Sequence, residues 1–92
     1  MYVVIVIHHP KPEYVNDFLA FMVRVEAVAR GSRGMLQFRS WREENSNRLV
    51  GLSTWESREA FEAALPRITS LSGERSARWT ERPDDVLRLT EP

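Results

Sequence analysis

Arg48-Leu49-Val50-Gly51-Leu52-Ser53-Thr54-Trp55-Glu56-Ser57-Arg58-Glu59-Ala60-Phe61 carries a strand directly into a helix. Arg48 to Trp55 favours extended backbone and reads as the returning arm of a hairpin. Ser57 then offers a hydroxyl to a free amide of the first helical turn, and the charge of Glu59 suits the positive end of the helix dipole. Phe61, Ala64, Leu65 and Ile68 fall on one buried stripe of this helix, which Pro66 is expected to kink or segment.

Working back toward the N-terminus, Met35 to Trp41 alternates, with Leu36 and Phe38 toward one face and Gln37 and Arg39 toward the other. The polar turn Glu43-Glu44-Asn45-Ser46-Asn47 joins it to the returning arm. Earlier still, Glu13 to Arg30 places Val15, Phe18, Leu19, Met22, Val25, Val28 and Ala29 at helical spacing, between Pro12 at its start and Gly31-Ser32-Arg33-Gly34 at its stop. Tyr2 to Ile7 is continuously apolar and β-branched, as a central strand requires, and Pro10 and Pro12 end it. Toward the C-terminus, Ser70 to Asp85 is polar and aperiodic apart from Trp79, and Val86 to Leu89 supplies a last short strand.

The order is thus β-α-β-β-α-β, a ferredoxin-like α+β domain in which a four-stranded antiparallel sheet carries both helices on one face. The other face stays open and apolar. In a chain with no third layer, the natural cover is the same face of a second copy, so a homodimer is expected. The 92 residues make one domain, 1–92, and a chain this short buries only roughly 60–65% of its unfolded surface, which points the same way.

Lys plus Arg number 13 and Asp plus Glu number 13, so no net field draws the chain to nucleic acid or to an anionic membrane. No cysteine is present, which removes disulfides, thiolate metal sites and cysteine nucleophiles and fits a cytoplasmic protein. The run Tyr2 to Ile7 lacks the basic leader, cleavage site and length of a targeting segment and reads as a strand. His8 and His9 diverge on alternate faces with no HxH pattern or accompanying carboxylate cluster, so no metal site is expected.

Thr54-Trp55-Glu56-Ser57-Arg58-Glu59-Ala60-Phe61, after a strand and opening a helix, resembles the signature of the antibiotic biosynthesis monooxygenase domains. Gly34-Met35-Leu36 with Phe38 before the hairpin, and a first strand ending in proline, support the resemblance. It implies a dimeric α+β barrel with a pocket between sheet and helices, roofed by the segment after the second helix. Members with known activity oxidise polyphenolic anthrones with dioxygen and no cofactor, or degrade haem, and others have no assigned chemistry.

Trp55 matches the family's pocket tryptophan. Quinone-forming members place an Asn four residues before it and a Tyr six residues after it, where this chain has Gly51 and Phe61. They also carry an arginine after the second helix, for which Arg75 and Arg78 are available. Haem-degrading members need a histidine after the signature, and here no histidine follows His9.

The resemblance implies a cofactor-free monooxygenase acting on a small hydrophobic, aromatic or polyketide-like molecule, with Trp55 and His8 as its working groups. Histidine is the side chain able to accept a proton near neutrality, and at most one of His8 and His9 can see the pocket. Phe18, Met22 and Phe61 are expected to line the pocket, although a Phe/Met stripe is first of all core packing. Arg75, Arg78 and Trp79 are expected in the roof, where a guanidinium could stabilise an oxyanion, or equally could pair with surface carboxylates. The alternatives are a dimeric module that binds a ligand without transforming it, and a purely structural dimer.

Overall fold

Tyr2–His8 forms β1, Val15–Ala29 α1, Met35–Arg42 β2, Leu49–Trp55 β3, Arg58–Ile68 α2 and Asp85–Thr90 β4, in a computed structural model that describes residues 1–92. The strands make one sheet in the order β2-β3-β1-β4, antiparallel at every pairing. This is the expected ferredoxin-like α+β arrangement, with β1 central. No helix is long and apolar enough to cross a membrane.

Register sets which side chain meets which face. Val4 lies opposite Ser53 on β3 and Arg88 on β4, and Val6 lies opposite Gly51 and Val86; these rows, with Tyr2 and His8, point toward the helices. Ile5, opposite Leu52 and Leu87, and Val3, opposite Thr54 and Leu89, point the other way. A register shift between Met35 and Gln37 turns Leu36 outward.

Helix boundaries follow local chemistry. Ser57 caps α2 by accepting from the Ala60 amide at 3.1 Å. The expected helix from Glu13 begins instead with a 3-10 turn, Pro12–Tyr14, before α1 proper. Pro66 does not segment α2: it stands in the last turn, where the amide it lacks costs one bond, and the chain tightens into a 3-10 turn only at Thr69–Glu74. The segment read as aperiodic therefore holds two 3-10 turns, the second at Ala77–Trp79. It is tied down by Lys11 N–H to the Trp79 carbonyl at 2.8 Å and Glu81 N–H to the His9 carbonyl at 2.9 Å.

The core is split. Tyr2, Val4, Trp55, Phe61 and Ala64 pack at one end of the sheet–helix interface. Phe18, Met22 and Leu49 pack at the other. Both glycines that flank the α1–β2 turn have φ of 82°, but only Gly34 is also crowded, since a Cβ there would come within 2.6 Å of the Ala60 Cβ on α2.

That difference gives a paired prediction. Gly31→Ala meets no neighbour and should cost about 1 kcal/mol of backbone strain, whereas Gly34→Ala adds overpacking and should cost roughly 2–4 kcal/mol. Urea unfolding of the two variants measures both; equal costs would mean that the β2–α2 contact does not constrain residue 34.

Candidate functional site

Between the two core clusters lies a cavity of about 310 Å³, bounded by the sheet and both helices. The sheet supplies Val4, Val6, Phe38, Gly51 and Ser53, and the helices supply Met22, Val25, Phe61, Leu65 and Ile68. A Cβ on Gly51 would meet nothing within 4 Å, so the volume of the missing side chain belongs to the cavity. Val86 is 56% exposed, so the cavity opens along the uncovered edge of β4.

One end of this apolar space is charged. Asp84, just before β4, accepts from both terminal nitrogens of Arg75, at 2.7 and 2.8 Å. Its Oδ1 also lies 3.0 Å from Nδ1 of His8, at the end of β1, an approach at bonding distance though not well aligned. Burial opposes ionisation of Asp84, but His8 and Arg75 outweigh it and hold the carboxyl well below the usual carboxylate range. An ionised carboxylate can only accept, so it selects the His8 tautomer with the proton on Nδ1. Nε2 is then the lone-pair nitrogen, on a ring that lines the cavity, while Nδ1 is buried and makes no well-aligned hydrogen bond. Phe18 supports this group from beneath, 4.6 Å from the His8 ring and 4.7 Å from the Arg75 guanidinium carbon.

His8, Met22, Phe61 and Arg75 all line the cavity. Trp55 does not touch it: its side chain is fully buried, packs edge-on against Phe61 at 5.5 Å, and donates Nε1–H to Ser53 Oγ at 2.9 Å. Its reach is indirect, because Phe61 and Ser53 stand between it and the open space, and a hydroxyl that accepts from the indole keeps its own proton free to donate. Phe18 likewise lies behind the wall rather than in it.

His9 points away from the cavity, as strand alternation requires, and bonds Asp85 through Nε2 at 2.7 Å. It borders a separate cleft alongside Arg48, Glu81 and Arg82. Arg78 is exposed in the second 3-10 turn, and Trp79 packs on Tyr14, Phe18 and Phe21 of the first helical layer, so neither roofs the cavity. Arg75 does reach it, and each of its terminal nitrogens donates to Asp84, so its charge is matched within the site.

Sequence reasoning missed Asp84, Arg88, Ser40 and Ser53. The last two signal themselves as hydroxyls inside β2 and β3, and the Ser40 Oγ is buried without a partner. Asp84 and Arg88 become visible only once β4 is paired with β1 in register.

The family model described as Antibiotic biosynthesis monooxygenase matches residues 1–66. No curated protein matches the sequence. Among solved structures, Rv0793 from Mycobacterium tuberculosis is similar at TM-score 0.87 and 18% identity, over 99% of this chain and 94% of that one. A monooxygenase from the gene ActVA-Orf6 of Streptomyces coelicolor, in complex with the ligand Nanaomycin D, is similar at TM-score 0.81 and 18% identity, over 99% and 87% of the two chains. A mutant of MhuD with two manganese protoporphyrin IX molecules bound per active site is similar at 0.80 and 21% identity, over 99% and 94%. At these identities the likeness is one of fold.

The two histidines should carry opposite tautomers. His8 faces its carboxylate with Nδ1 and His9 with Nε2, so the neutral rings should be Nδ1–H and Nε2–H respectively. Long-range 1H–15N spectra resolve this directly in a chain with two histidines. In Asp84→Asn the amide oxygen should turn to Arg75 and its NH2 to His8, moving the His8 proton to Nε2; an unchanged His8 tautomer would show that Asp84 does not set it.

Proposed function

The chain belongs to the antibiotic biosynthesis monooxygenase family, and from that premise we propose that it binds a planar, hydroxylated aromatic or polyketide-like molecule in the sheet–helix cavity and oxidises it with dioxygen, without a cofactor. The observation that carries the reading is His8: an imidazole with its lone pair on Nε2, backed by an ionised carboxylate, at the end of an otherwise apolar cavity. Likeness to a monooxygenase structure that holds Nanaomycin D supports the choice of substrate class.

The chemistry asked of the protein is modest. Nε2 of His8 takes a proton from an activated methylene or phenol of the substrate, and the imidazolium formed is stabilised by Asp84. The resulting carbanion or phenolate passes one electron to dioxygen, and the radical pair recombines as a peroxide. For an anthrone-type methylene, loss of water then gives the ketone: CH2 plus O2 becomes C=O plus H2O, and His8 returns its proton to the departing oxygen. The apolar walls keep water from the charged intermediate and strengthen its contact with the site's dipoles. Trp55 serves this site from behind, by holding Phe61 in the wall and the Ser53 hydroxyl in orientation.

The cavity is small for an iron porphyrin and offers it no ligand from α2. About 310 Å³ is the lower end of the ~300–1,000 Å³ range of small-molecule pockets, room for a few fused rings but not a tetrapyrrole. The side of α2 that faces it presents Phe61, Leu65 and Ile68, none of which can ligate iron.

The working unit is a homodimer joined through the open sheet face. Ile5, Leu52, Leu87 and Leu89 share that face, and Leu87 and Leu89 are 46% and 43% exposed. Trp41 stands at the rim of the same face with the Arg39 guanidinium 4.8 Å from its ring centre. Leu87→Lys should shift sedimentation from dimer to monomer at micromolar concentration, because it places a charge inside that contact. A wild type that sediments as a monomer would remove the dimer from this reading.

Oxygen uptake tests the activity. Wild type is offered anthrones, naphthols and hydroquinones in metal-free buffer without flavin, beside His8→Ala and Trp55→Phe. Wild type should consume oxygen, His8→Ala should lose about 10²-fold or more in kcat, and Trp55→Phe should lose less because its effect is relayed. Ligands that quench tryptophan emission but consume no oxygen would make the chain a binding module of the same fold instead.

A further inference from the structure

The ionisable residues lining the cavity are His8, Arg75, Asp84 and Arg88. Three of them form one closed group, since the Asp84 carboxylate is bonded twice by Arg75 and faced by Nδ1 of His8. With His8 neutral, that end of the cavity carries no net charge. Arg88 has no such match. Its nearest carboxylate oxygen is Oε1 of Glu62, at 3.9 Å, and that same oxygen accepts from Arg58 Nε at 2.9 Å. The Arg88 guanidinium carbon sits 5.1 Å from the centre of the Phe61 ring, which is itself part of the cavity wall. The cation is therefore anchored at the opening along β4, half in water, with its donor edge unspent.

Position adds the second half of the argument. Arg88 pairs in register with Val4, and His8 lies four residues further along β1 on the same face. At ~3.4 Å per residue, the base and the unmatched cation stand roughly 14 Å apart along the strand at the level of Cα. Val4, Val6 and Phe61 fill the space between them with apolar surface. A ligand of two or three fused rings spans that distance once both side chains lean inward.

We propose that the substrate is an aromatic acid: a fused-ring molecule whose carboxylate is held by Arg88 at the cavity mouth, with its acidic C–H or O–H delivered to His8 at the far end. The inference rests on the reading of this cavity as the site of aromatic oxidation, and it adds both a substrate class and an orientation. Arg88 is its specificity-determining residue. A planar guanidinium takes a carboxylate through two parallel charge-assisted hydrogen bonds, whereas a neutral carboxamide offers it one acceptor oxygen and no charge.

Binding of anthraquinone-2-carboxylate and of its neutral isostere anthraquinone-2-carboxamide, followed by quenching of tryptophan emission, tests this without turnover. Wild type should prefer the carboxylate by roughly tenfold, the size of one charge-assisted contact at a partly exposed group, and added salt should narrow the gap. R88Q should abolish the preference by weakening the carboxylate far more than the carboxamide, and R88K should keep part of it. Equal affinities in wild type, or a preference that survives R88Q, would overturn the proposal and leave the aromatic cavity intact. Failure of both ligands to bind at millimolar concentration would overturn this proposal together with the reading it rests on.

Discussion

Two helices have to cover one face of a four-stranded sheet, and they do not cover all of it. That shortage of material governs the rest of the molecule. The buried apolar residues gather in two separate clusters, one around Trp55 and Phe61 and one around Phe18 and Leu49, because a chain of 92 residues cannot fill the whole interface. The cavity is the gap between them, and its mouth is the strand that the helices leave bare. The same shortage leaves the opposite face of the sheet with Ile5, Leu52 and Leu87 and no cover from its own chain. An incomplete core is thus the origin of both the ligand space and the surface assigned to a second copy.

A cavity lined by aliphatic and aromatic side chains penalises any isolated charge, so the charges it holds have to be organised. Asp84 is tolerated there because Arg75 meets it with both terminal nitrogens and His8 approaches from the other side. The outcome is one preorganised group, with Phe18 packed against both the imidazole and the guanidinium. Arg75 is spent in building the base rather than in meeting a ligand. The one cation left to meet a ligand is Arg88, which escapes the desolvation penalty by standing at the mouth.

How much of this was legible in the sequence differs from residue to residue. Element order and type were legible, because periodicity, the Ser57 cap and the prolines are local signals. The pocket residues Met22 and Phe61 were legible as members of buried stripes, and His8 as the polar end of a central strand. Trp55 was legible as part of the signature but not as a residue standing behind the wall, since burial at a strand end depends on what α2 lays against it. Arg75 and Arg78 look alike in sequence; only the fold of two 3-10 turns turns one inward and leaves the other in solvent. Asp84 and Arg88 were invisible for a simpler reason, that their meaning comes from a pairing partner more than 75 residues away, and register between distant strands is not a local property.

The same register explains why two adjacent histidines have different fates. Where the β1–β4 pairing ends, His8 closes β1 with His9 just beyond it, and Asp84 stands just before Asp85, the first residue of β4, so each imidazole finds a carboxylate. Alternation sends the two contacts to opposite faces of the sheet. His9 and Asp85, joined by Arg82, close a polar corner in which both partners are spent on each other. His8 and Asp84 are chemically the same pair, but their contact uses Nδ1, and the ring belongs to the lining of an apolar cavity. The difference between a structural ion pair and a candidate base thus lies in the ring nitrogen engaged and in what faces the other one. A doublet of histidines at the end of one strand, in contact with a doublet of aspartates at the start of its neighbour, ties the two chain segments together and equips the cavity at once.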